Sequence, residues 1–238
     1  MARQTDARAA RRTPLSKERV LRAAIALADA GGIEALSMRR LAQELGVEAM
    51  SLYNHVANKD EILDGIVDLV VSEIELPSTA EDWDVAIRKC ATSAHAAFLR
   101  HPWACSLVIS PTTTPTLRTG PPVHTARLRY MEWLLGRLRE AGFSPDLTYH
   151  AYHALDSHIL GFTLWELGHS AAAKSFGGAK EFADFAQSFL LELSANEFPY
   201  LAEHVEQHLS ASSDDGEREF EFGLDLILDG LEKARGTA

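Results

Sequence analysis

The chain has 238 residues, 46% apolar and 24% charged, with 23 Lys+Arg against 34 Asp+Glu and a formal net charge of −11. That length supports one or two domains with a true core, and Cys90 and Cys105 provide neither a disulfide framework nor a metal-type spacing, so a reducing, cytoplasmic setting is expected. The longest stretch free of Asp, Glu, Lys and Arg, His101 to Leu117, is broken by three prolines, and the polar start lacks the apolar segment of a signal peptide, which excludes secreted, membrane-spanning and disordered classes.

Residues 1–14 are Arg-rich and without apolar period, and they read as a flexible basic arm. Ser16 is then a good N-cap for a helix with Val20, Leu21, Ala24, Leu27 and Ala28 at three- and four-residue steps, ended by Gly31-Gly32. Ser37 caps a second, short helix with Met38, Leu41, Ala42 and Leu45, which stops at Gly46. A third is expected at about 49–56, with Leu52, Tyr53 and Val56 turned inward. Asn58-Lys59-Asp60 opens a longer one that ends near Pro77.

Further helices are expected at about 81–100, 122–141, 145–169, 179–195, 199–209 and 217–235, parted by Pro/Gly/Thr stretches. No run of period-two strands and no internal repeat interrupts this pattern. The fold class is therefore all-α: an N-terminal three-helix unit and a larger helical domain.

Residues 1–60 carry ten Lys/Arg against seven Asp/Glu, whereas residues 61–238 carry 13 against 27. A basic end on an acidic protein can meet a polyanion, because the local field outweighs the total; a solvated tail is the plainer reading. The two short helices around Gly46 have the spacing of a helix-turn-helix, with small Ala42 permitting close approach. An ordinary helical hairpin has the same periodicity. Ser51, Tyr53, Asn54 and His55 can all donate hydrogen bonds to phosphate or bases, Lys59 sits at a helix N-terminus that favours anions, and Arg39 and Arg40 lie on the preceding helix.

Residues 16–60, above all the run Ser37 to Glu61 with Leu-Gly-Val, Leu-Tyr-Asn-His-Val and Asn-Lys-Asp-Glu, closely resemble the DNA-binding domain of TetR-type transcriptional repressors. Phe220 to Lys233 is similar to the final helix of the tetracycline-repressor branch, and Trp83 matches that branch too. The resemblance implies a DNA-binding domain at 15–60 and a ligand-binding and dimerisation domain at 61–238. It implies that Ala49, Met50, Ser51 and Asn54 face base edges, the first two toward thymine methyls. Tyr53, His55 and Lys59 would hold the phosphates, assisted by Arg39 and the cap Ser37. Glu48 departs from what phosphate proximity favours.

A homodimer reading two half-sites of a palindromic operator is then expected. Its interface is assigned to Phe220, Gly223, Leu224, Ile227, Gly230 and Leu231 on the last helix, with Leu155 and Ile159 on helix 145–169. An intrachain core helix is the competing reading of the same stripe. An effector pocket is expected among Trp103, Trp133, Phe162 and Trp165, for a small aromatic or hydrophobic molecule, with no membrane partner and no cofactor. Val108 and Cys90 stand where the tetracycline-binding branch has a metal-binding His and an Asn, so tetracycline–magnesium is not the expected effector. Two alternatives stay open: a metal-sensing regulator using His150 and His153, and a helical enzyme domain fused to the DNA-binding unit. His158 lies about 140° around the helix from His153, which disfavours three-fold convergence. No phosphate loop, Gly-x-Ser-x-Gly or His-Glu-x-x-His points to catalysis.

Overall fold

The structure, a computed structural model, describes residues 14–78, 80–110, 125–192, 197–210 and 215–237. The basic arm therefore lies almost wholly outside the described residues. Those residues form eleven helices: α1 (Lys17–Gly31), α2 (Met38–Leu45), α3 (Ala49–Leu52), α4 (Lys59–Val71), α5 (Trp83–Arg100), α6 (Pro102–Val108), α7 (Ala126–Glu140), α8 (Pro145–Ser175), α9 (Ala179–Glu192), α10 (Pro199–Ser210) and α11 (Asp215–Thr237). The expected all-α architecture is what the chain adopts.

Local chemistry sets the helix starts. The side-chain oxygens of Ser16, Ser37, Asn58, Thr125 and Ser144 each accept a backbone N–H three residues on, a cap worth about 1 kcal/mol. Four elements differ from the sequence expectation: α4 ends at Val71 rather than near Pro77, α8 runs on from 169 to Ser175, and two short helices differ more deeply. The third helix is only one turn, because Tyr53 ends it and the chain continues in tight turns to a buried Val56. The seven-residue α6 falls between the helices expected at 81–100 and 122–141, and Pro102 occupies its first turn, where a missing N–H costs nothing.

The N-terminal unit packs α1 against α2 and α4, with Val20, Ala24, Leu41, Leu52, Ile62 and Ile66 essentially without solvent contact. Burying each such side chain stabilises the fold by roughly 1.5–3 kcal/mol. An ion pair between Lys17 and Glu61 joins the starts of α1 and α4, and Glu61 also accepts the Ala57 N–H at 2.6 Å. The larger part is organised on α8, which α5, α7 and α11 flank. Trp83 meets Phe143 edge to face at 4.9 Å, and Arg235 lies over Trp83 and donates to the Ala141 carbonyl, fastening the end of α11 to the α7–α8 turn.

Five of the eight residues assigned to the dimer interface are taken up within the chain itself. Phe220, Leu224 and Leu231 are buried inside the chain, where α11 packs on α8; Leu155 is buried too and Ile159 lines a cavity, and a side chain already shielded by its own chain has nothing left to offer a second copy. Phe220 is stacked between His95 (4.2 Å) and His158 (4.8 Å). Gly223 serves the same internal contact, since a Cβ there would stand 2.4 Å from His158 Cε1. Ile227 is half-buried in the same packing, while Gly230 is exposed. The free face of α11 carries Phe222 and Leu226, 66% and 61% exposed.

Candidate nucleic-acid interface and effector cavity

Gly46 ends α2 in the left-handed conformation (φ 66°, ψ 36°), which favours glycine, and its N–H and that of Val47 close the helix onto Gln43 and Ala42. The chain thereby reverses into α3, which Leu52 anchors from below. With that side chain fully buried, the rest of α3 faces outward. Ala49 and Asn54 are exposed, Met50 is 74% and Tyr53 47% exposed, and Ser51 and His55 are half-buried.

Ser37, Arg39 and Lys59 are exposed beside them; the Ser37 hydroxyl already accepts the Arg40 N–H at 3.2 Å. Among the described residues, no side-chain hydrogen bond or ion pair engages Arg39, Arg40, Tyr53, Asn54, His55 or Lys59. Lys59 opens α4, where free backbone N–H groups and the helix dipole add to its positive charge. Polar groups on one surface, unpaired within the chain, form a surface able to accept a phosphate backbone and base edges.

The second site is a cavity of about 310 Å³ between α4, α5, α6, α7 and α8. Val71, Ile74, Phe98, Val108, Ile109, Leu128, Met131, Ile159 and Leu160 make its apolar wall, and Arg127, Tyr130, Tyr152 and Asp156 its polar part. Tyr130 donates to Asp156 Oδ1 at 3.0 Å, and the Tyr152 phenol, one turn before Asp156 on α8, lies beside the same carboxylate. Burial raises the Asp156 carboxyl above the usual range, with the two phenols opposing, and burial holds both phenols above theirs. Arg127 faces Asp64 at 3.7 Å and Asp68 at 4.0 Å on α4. The Cys90 thiol is buried and pushed up to about 12, first by burial and then by Asp156.

None of the four expected pocket aromatics lines this cavity, and each has another task. Trp103 is buried with its indole N–H donated to Asp29 Oδ1 at 2.7 Å, an oxygen that His101 Nδ1 also contacts at 2.8 Å. Trp133 donates to the Pro77 carbonyl at 3.0 Å. Phe162 packs against His95, Phe220 and Trp165, and Trp165 lies 3.9 Å from the His169 ring. The expectation chose aromatics by size, but large rings are as useful in filling helix junctions as in lining space. The cavity residues it passed over had one signal: Asp156 interrupts the apolar face of Ala151, Leu155 and Ile159, one helical turn after Tyr152.

Comparison with known proteins decides the family. Residues 20–66 match the bacterial regulatory proteins of the tetR family, and residues 76–235 match the tetracyclin repressor-like C-terminal domain. The chain belongs to the TetR family. It is 34% identical to the transcriptional repressor DrrR1 of Streptomyces coeruleorubidus over 92% of this chain and 77% of that protein. It is 31% identical to the class D tetracycline repressor protein of Escherichia coli over 92% of this chain and 89% of that one. Among solved structures, the TetR-family protein ActR of Streptomyces coelicolor in complex with actinorhodin superposes with a TM-score of 0.74 at 32% identity, covering 94% of this chain and all of ActR.

As a TetR-family member, the chain is a helix-turn-helix DNA-binding regulator of transcription that works as a homodimer, and it is not an enzyme. No helix among the described residues is long and apolar enough to cross a membrane. No group of three or more His, Cys, Asp or Glu among the described residues is arranged to hold a metal ion. His150 is exposed 3.9 Å from Asp146, and His153 Nδ1 lies 2.8 Å from the carbonyl of Tyr149 in its own helix. His158 Nε2 is 2.9 Å from the Phe220 carbonyl, so it serves the α8–α11 packing. Val108 lines the cavity, and Cys90 is buried near Asp156.

Proposed function

We propose that this TetR-family regulator is a repressor that two copies seat on a palindromic operator and that a small apolar or aromatic effector releases. Residues 15–60 read the DNA, with residues 1–14 as an accessory basic arm, and residues 61–238 bind effector and partner. Ala49, Met50, Ser51 and Asn54 meet base edges, while Tyr53, His55, Lys59, Arg39 and Ser37 hold the phosphates. The outward face of α11, with Phe222, Leu226 and Gly230, takes the interface role that the buried stripe cannot. The observation that carries the reading is the cluster of outward polar groups on α2, α3 and the start of α4 with no side-chain partner among the described residues.

Helix α4 joins the two sites. Lys59 at its first residue belongs to the DNA surface, and Val71 at its last belongs to the cavity wall, about 18 Å away along the axis. An effector that prefers one tilt of α4 shifts the population toward it and changes the spacing of the two α3 helices. The coupling expected of such a device is 1–3 kcal/mol, about 5- to 150-fold in operator affinity. The likeness to ActR, solved with actinorhodin bound, supports an aromatic effector. A mobility-shift assay with the promoter region beside its own gene tests the reading. Retardation that outlasts competitor DNA at moderate salt is expected, and its absence refutes the assignment.

A further inference from the structure

We propose that the cavity selects effectors bearing a protonated amine, whose ammonium group pairs with the Asp156 carboxylate while a ring body fills the apolar wall. This rests on the reading of the cavity as the effector site. Apart from Arg127, whose guanidinium faces Asp64 and Asp68, the polar part of the cavity is the Asp156 carboxylate and the phenols of Tyr130 and Tyr152. The Tyr130 hydroxyl is donated to Asp156 Oδ1 at 3.0 Å, so that phenol proton is not left to greet a ligand, and the Tyr152 phenol lies beside the same carboxylate. Two phenol oxygens and the remaining carboxylate lone pairs stay open.

Charge points the same way. Among the described residues no Lys, Arg or His nitrogen lies within 4.0 Å of the Asp156 carboxylate; His153 acts on it from one turn away. The Arg127 guanidinium stays beyond 4.0 Å of it and lies instead 3.7 Å from Asp64 and 4.0 Å from Asp68 on α4. A carboxylate beside apolar walls without a cation is costly, and a ligand that brings the cation relieves the cost. A carboxylate ligand meets a like charge there, and a neutral hydroxyl gains only an ordinary hydrogen bond.

The test is calorimetric titration of the full-length protein at pH 7 with three matched probes: 2-(aminomethyl)naphthalene, 2-(hydroxymethyl)naphthalene and 2-naphthoic acid. The amine is expected to bind about tenfold or more tighter than the alcohol, with the acid weakest. Asp156→Asn, which keeps an acceptor for Tyr130, brings the amine level with the alcohol. Tyr152→Phe, which removes a competing donor and keeps the charge, preserves or widens the amine's lead. Equal binding of amine and alcohol by the native protein, an undiminished lead in Asp156→Asn, or a lost lead in folded Tyr152→Phe overturns the proposal. A different outcome overturns the cavity reading beneath it: none of the three probes binds, or Leu160→Trp, which fills the space, leaves their binding unchanged.

Discussion

At the α3–α4 end the polar side chains stand in solvent with no side-chain partner among the described residues, whereas in the cavity Tyr130 is already bonded to Asp156, with Tyr152 beside them. The difference follows from the two ligands. DNA brings its own dense charge and ordered groups, so the protein needs only to hold donors outward on a rigid base. In the proposed effector cavity an unpaired polar group is penalised, and there Tyr130 and Asp156 satisfy each other until a ligand competes for them. Rigidity is thus placed beneath the first site, and exchangeable bonding inside the second.

The sharpest way to break that contrast is Leu52→Ala. Leu52 is the one fully buried side chain of α3, and its truncation is expected to cost 2–5 kcal/mol in urea unfolding and to abolish operator retardation. If operator affinity survived the loss of that support, a rigid base would be irrelevant to DNA reading. Asn54→Ala is smaller and selective: about 1–3 kcal/mol lost on the operator and little on random DNA, by competition titration. Equal losses on both would place Asn54 on phosphate. Lys59→Ala is the mildest, weakening all sequences alike and lowering the slope of log K against log salt by about one phosphate's worth. An unchanged slope would take Lys59 off the backbone.

Much of the DNA-binding end was legible because its signals are local. Ser16, Ser37 and Asn58 cap their helices through bonds to residues three positions on, and Gly46 turns the chain at a single φ. The shortness of α3 was not legible, since Leu52 and Val56 keep a helical spacing even though the chain leaves the helix between them. The faces of α11 were misread for a physical reason. The helix carries two apolar stripes, Phe220, Leu224 and Leu231 buried in its own chain, and Phe222 and Leu226 exposed on the face proposed for the partner. Periodicity finds both stripes but says nothing of what each meets. The cavity depends on which faces of five separate helices converge, so its residues were out of reach of any local signal except the lone carboxylate on an apolar face of α8.

Helix α6 touches both regions with only seven residues. Its last residue, Val108, and Ile109 just beyond it border the cavity, while Trp103 and the preceding His101 grip one oxygen of Asp29 near the end of α1. Two turns of helix act as a stiff push-rod about 10 Å long, too short to absorb a displacement by bending. A nudge delivered at one tip therefore arrives at the other nearly undiminished, where it must either carry the first helix of the DNA-reading unit along or stretch a 2.7 Å indole bond that has little slack to give.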